Sequence, residues 1–187
     1  MTTHFMPERN ALAAIALCLV VSSSLAEGPD PGAEAAPQSK PHVQAASEIE
    51  AGRYLITVAG CNDCHTAGYS ENGGQVAESD WLTGSPLGWR GPWGTTYASN
   101  LRLLAQSVDE DGWVAMLTHR KDRPPMPWMN VNRLSEQDMR AMYRYVRFLG
   151  ARGEPTPGAL AADVEPSTPY LWMIPTMPAD RTADLQP

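Results

Sequence analysis

A chain of 187 residues with 43% hydrophobic content, three cysteines and a formal net charge of −7 has room for one domain with tails. The acidity argues against a nucleic-acid partner, which calls for a basic surface. It points to no particular partner, because residues 47–150 hold ten Lys/Arg against twelve Asp/Glu and the rest of the imbalance sits in the flanks.

From the amino terminus, residues Ala11 to Ala26 form an apolar and then small-residue run, with Ser24 and Ala26 at the minus-three and minus-one positions of a cleavage site. That is the pattern of a secretory signal. An uncleaved membrane anchor fits less well, because the run contains Ser22, Ser23 and Ser24 and falls short of the roughly 20 apolar residues that a span needs. Residues 1–26 are therefore expected to be a signal peptide and the mature protein to be periplasmic. Residues 27–46 lack a regular apolar period and are expected to be a flexible linker.

An ordered module is expected over 47–150. Ser47 followed by Glu50 is a capping-box pattern, and a helix should run through Ile49, Gly52, Arg53 and Ile56 toward Cys61-Asn62-Asp63-Cys64-His65. C-x-x-C-H is the signature of covalent c-type haem attachment. Positions i and i+3 share a helix face, so both sulfurs can reach the two vinyl groups along one side of a haem. His65, next in line, can then offer a nitrogen to the iron. A thioredoxin-type dithiol is expected beside a βαβ pattern, which is not visible. A zinc site would want a second ligand pair, and the third cysteine, Cys18, lies in the targeting segment. A structural disulfide would leave the histidine unexplained. Cys61 and Cys64 are thus expected to attach one haem c, with His65 as a metal ligand.

The stretch from His65 to Ser107 is rich in Gly and Trp, and Trp81 to Gly94 shows neither a helical nor a strand period. A loop this long inside a compact domain is functional or disordered, and Trp81, Trp89, Trp93 and Tyr97 argue for order. Irregular chain wrapped around a flat apolar cofactor accounts for it, as does an aromatic mini-core under a loop.

A second helix is expected after Ser107, which with Glu110 fits an N-cap pattern, with Asp109, Glu110 and Asp111 in its first turn and His119, Arg120 and Lys121 in its last, an order that suits the helix dipole. A sixth iron ligand has candidates in His42, His119 and the methionines. Met116, Met139 and Met142 fall on helices and suit packing. Met126 sits in Arg123-Pro124-Pro125-Met126-Pro127-Trp128, where prolines preclude helix and restrict the backbone to extended forms. Such a segment can present a thioether with little ordering cost. Met129 lacks that bracing, and His119 suits the end of a helix. A third helix, capped by Ser135, has Met139, Met142, Tyr143, Val146 and Leu149 on one stripe and ends at Gly150. Its arginines, Arg140, Arg144 and Arg147, are expected on a solvated face, with docking of an acidic redox partner as the sharper alternative. Residues 151–187 carry seven prolines and are expected to form a tail packed back as an extended strap.

Helix, C-x-x-C-H, long loop, helix, Met-Pro and an aromatic-bearing last helix together resemble class I c-type cytochromes with one haem. The stretch Gly91-Pro92-Trp93-Gly94-Thr95-Thr96-Tyr97-Ala98-Ser99-Asn100-Leu101 is similar to the haem-wrapping loop in cytochrome subunits of bacterial membrane-bound dehydrogenases. The resemblance implies an all-α, cytochrome c-like helical domain over 47–150, with His65 and Met126 as axial pair and Cys61 and Cys64 as thioether residues. It also implies an electron carrier, not itself an enzyme, cycling Fe(II) and Fe(III) between redox partners such as a donor dehydrogenase and a terminal oxidase. Contact with a membrane would come only through an uncleaved signal or a membrane-bound partner. Two alternatives stay open on the residues alone. One is a haem subunit of a dehydrogenase or oxidase complex, or a haem sensor, with an open iron; the other is a metal-free dithiol oxidoreductase. Gly52 is expected to let the first helix cross the last one closely, near Tyr143 or Tyr145.

Overall fold

The computed structural model describes residues 40–175. The expected signal at 1–26 and most of the expected linker lie outside the described residues, as does the chain beyond Pro175.

Six helices and three short strands follow in the order α1 (Glu48–Val58), α2 (Cys61–His65), β1 (Gly88–Gly91), β2 (Gly94–Tyr97), α3 (Leu101–Ser107), α4 (Glu110–His119), α5 (Trp128–Val131), α6 (Glu136–Leu149) and β3 (Tyr170–Trp172). The helical class is as expected, with a small three-stranded sheet added to it. No helix among the described residues is long and apolar enough to cross a membrane.

Caps explain the helix starts. Ser47 Oγ accepts from the Glu50 N–H at 3.2 Å and Ser135 Oγ from the Asp138 N–H at 3.0 Å, each satisfying a donor that the first turn leaves free. Ser107 does not cap the second expected helix. It is the last residue of α3, and Asp109 takes the capping role, its Oδ1 accepting from the Gly112 N–H at 2.8 Å. The α3 helix, its cap Asn100 and the β1–β2 hairpin all fall within the stretch expected to be irregular.

The core forms where α1 and α6 cross, with Leu55, Ile56, Met139, Tyr145 and Val146 buried against Trp113 and Leu117 of α4. Gly52 sits at the crossing, where a Cβ would overlap the Ala141 carbonyl oxygen and crowd Tyr145 Cβ. The neighbour is thus Tyr145, while Tyr143 turns its hydroxyl to the Val108 carbonyl at 3.0 Å. Glu78 ties the long loop to both helices, accepting from Arg53 Nε at 2.9 Å and from the Tyr145 hydroxyl at 2.6 Å.

The arginines of α6 do not form a free basic face. Arg140 pairs with Asp111 and Glu136, each at 2.7 Å, and Arg144 with Glu110 at 2.8 Å and with Glu48. They tie α6 to α1 and α4. Just before α1, the Val43 N–H donates to Asp138 Oδ1 at 2.9 Å and Lys40 Nζ to the Leu134 carbonyl at 3.2 Å.

Residues 151–175 run across the hairpin. Asn100 Nδ2 donates to the Arg152 carbonyl at 2.8 Å, the Thr95 and Leu160 backbones exchange bonds of 3.1 and 2.8 Å, and β3 lies parallel to β1 with Trp89 opposite Leu171. Arg90 anchors this run, donating to the Val164 carbonyl at 2.7 Å and pairing with Glu165 at 2.9 Å.

The crossing at Gly52 yields a direct test. Gly52→Ala should lower stability by about 1–3 kcal/mol, the usual range for overpacking, although alanine is the better helix former. Chemical denaturation measures it, and an unchanged midpoint would mean that the helices do not approach this closely.

Candidate haem site

A helix of five residues carries the C-x-x-C-H motif, and its surroundings hold it in place. Asn62 is buried, and its Oδ1 accepts from Thr66 Oγ1 at 2.7 Å; Thr66 Oγ1 in turn accepts from the Leu82 N–H at 2.8 Å. The His65 carbonyl accepts from the Gly84 N–H at 2.7 Å. The C-terminal end of α2 is thereby fastened to the long loop, and Asn62 joins the same chain of bonds through Thr66.

Cys61, Cys64 and His65 face a cavity of about 390 Å³, within the range of cofactor sites. Trp89 and Tyr97 of the hairpin, Trp113 and Leu117 of α4 and Met142 of α6 supply its walls. Arg120, Lys121 and Arg123 border it beside Asp122, and Arg120 is bonded to that carboxylate. Met126 lines the same cavity from the proline-rich segment, whose Pro124–Pro125 bond is cis.

Cys61 and Cys64 are not joined in a disulfide. Burial pushes the Cys61 thiol up to about 12, with the Asp63 carboxylate adding to the effect, and raises Cys64 for the same two reasons. His65 Nδ1 lies 2.7 Å from the Ser99 carbonyl oxygen. A carbonyl can only accept, so Nδ1 carries the proton and Nε2 keeps its lone pair. Burial also lowers the pKa of His65, which favours the neutral imidazole that a metal requires.

The residues present fit a covalently held haem. Two thiols stand one helical turn apart beside a neutral imidazole, the enclosed space is walled mainly by aromatic and aliphatic groups, and a thioether shares that space. Trp113 Nε1 is buried without a partner among the described residues, a donor on a wall that a polar edge of the cofactor can use.

The other proposed ligands lie elsewhere. Met129 is 48% exposed on α5. His119 is exposed at the end of α4, and His42 contacts Gln44 beside the start of α1; none of the three lines the cavity. Met139 is core packing, whereas Met142 combines packing with a place on the wall. Sequence reasoning missed Ser99, which acts through its backbone and leaves no side-chain signal. It also missed Asn100, whose place before Leu101 and Leu104 is a legible cap.

No curated protein and no solved structure matches the chain. A family model described as Cytochrome c matches residues 49–150, a span that takes in the crossing helices, the cysteine pair and most of the cavity wall. More than half of the chain is covered, so it belongs to the cytochrome c family, with haem c as its covalently attached cofactor and electron transfer as its role.

Proposed function

We propose that the protein is an exported, periplasmic electron carrier with one haem, joined through Cys61 and Cys64 and ligated by His65 and Met126. The observation that carries this is the shared cavity: Met126 lines it together with Cys61, Cys64 and His65, while Met129, three residues on, is half-exposed away from it.

When bound, haem supplies the one-electron Fe(II)/Fe(III) couple. Cys61 and Cys64 would hold the group through two thioether bonds, which would keep it beside His65 at high effective concentration. His65 donates Nδ1–H to Ser99, a bond that sets the ring orientation and strengthens the other nitrogen as a ligand. Met126 offers a soft thioether, which favours the lower oxidation state and so a higher potential. Trp89, Trp113 and Leu117 keep water back, and low dielectric penalises the extra charge of the oxidised form.

Export is supported by the run at 11–26 and by the covalent cofactor, whose thiols must stay reduced until they react. The donor we favour is a membrane-bound dehydrogenase, on the likeness of Gly91–Leu101 to the loop in such cytochrome subunits, and the acceptor a terminal oxidase. In this chain that segment builds the hairpin wall and the start of α3.

Haem should stay with the polypeptide through boiling in detergent, as read by haem staining of a denaturing gel. Changing both Cys61 and Cys64 to Ala should abolish the stain; undiminished staining would falsify the attachment.

Met126→Ala should open the sixth position. The ferrous protein should then bind carbon monoxide readily, the oxidised protein should lose its methionine-to-iron charge-transfer band, and the potential should fall. Met129→Ala should leave the band intact. Survival of the band in Met126→Ala with loss in Met129→Ala would move the ligand three residues along. Loss in neither would indicate an open or histidine-ligated iron.

A further inference from the structure

Residues 151–175 lie beyond the family match, yet Ala159 lines the cavity. This run meets the segment bearing Met126 at one side chain. Arg123 Nη1 donates to the Trp93 carbonyl in the hairpin turn at 3.0 Å and to the Leu160 carbonyl at 3.2 Å. Two further contacts complete a ring. The Thr95 and Leu160 backbones bond each other, and Thr96 Oγ1 donates to the Pro124 carbonyl at 2.7 Å.

The proline segment needs outside anchors. Pro124, Pro125 and Pro127 have no N–H, so three of the four residues from 124 to 127 can donate nothing from the backbone. A guanidinium suits the task, because its fork of donors can serve two carbonyls at once. The hairpin and the tail approach closely at Gly94, where φ is +98° and a Cβ would overlap the Leu160 carbonyl oxygen.

We propose that Arg123 is a positioning residue for Met126: by bridging the hairpin turn and the tail at Leu160, it holds the proline segment against the cavity, so that the tail governs how firmly the sixth ligand stays on the iron. This rests on the His65/Met126 ligation proposed above.

The test is carbon monoxide association with the ferrous holoprotein by stopped flow. The thioether must leave before carbon monoxide binds, so the rate reports the population of the open form. Arg123→Ala should raise it roughly tenfold, equivalent to ~1.4 kcal/mol, in line with the loss of one or two hydrogen bonds. The charge-transfer band of the oxidised protein should weaken in parallel. Gly94→Ala, which keeps the Arg123 side chain but whose Cβ would displace the Leu160 carbonyl that it donates to, should act in the same direction. Arg123→Lys keeps a donor for the carbonyls and should restore most of the slow rate. Arg133 is exposed, and its only bond among the described residues is from its backbone N–H to the Asn130 carbonyl, so Arg133→Ala removes the same charge without a side-chain contact and should leave the rate unchanged.

An equal rise in Arg133→Ala would make the effect one of charge and overturn the proposal. So would unchanged rates in both Arg123→Ala and Gly94→Ala while Met126→Ala loses its band, an outcome that leaves the ligation standing. Retention of the band in Met126→Ala would overturn the ligation and the positioning role with it.

Discussion

Five residues make a helix with almost no internal support, since the first turn fixes several dihedrals for very few hydrogen bonds. The segment that carries both thiols and the imidazole therefore takes its shape from what surrounds it. Asn62 and Thr66 fasten it to Leu82, Gly84 holds the His65 carbonyl, and Ser99 holds the ring. The long loop exists to make these contacts. Two of its aromatic residues, Trp89 and Tyr97, then wall the cavity that opens in front of the motif, so the cofactor site and the brace of the short helix are one construction. The crossing of α1 and α6 is the floor on which that construction stands, and Glu78 joins the two through Arg53 and Tyr145.

Signals that act over one helical turn were legible in the sequence. Ser47 and Ser135 cap the helices they precede, α6 buries Met139, Met142 and Val146 of the stripe that its period marks out, with Tyr145 deeper than Tyr143 and Leu149, and Gly52 faces Tyr145. Ser107 misled because Asp109, two residues on, competes for the same cap with a better acceptor and a favourable charge. The hairpin left no period to detect: each strand has four residues, β1 is Gly-Trp-Arg-Gly, and its partners come from a turn and from the far end of the chain. Within the site, the four side chains singled out from the sequence converge on one cavity, whereas Ser99 and Ala159 could not be found, because one contributes a carbonyl and the other a methyl group.

Charge is arranged locally. Arg140 and Arg144 of α6 are spent on Glu48, Glu110, Asp111 and Glu136, while Arg147 donates to the Ala105 carbonyl and to Gln106. Surface pairs of this kind add little stability singly, but here they form a network across three helices, and they leave that face without a large field of either sign. The cations that border the cavity are a separate group, and one of them is bonded to Asp122.

The parallel pairing of Gly88 with Tyr170 and Trp89 with Leu171 joins positions about 80 residues apart in the chain. Closing a loop that long carries an entropic cost that grows only slowly with length. The crossing of Gly52 with Ala141 spans a similar length of chain, so the floor and the outer wall of the cavity both rest on contacts between distant stretches of sequence. Long-range pairing of this kind slows folding, and the cavity is complete only when both ends of the described residues are in place.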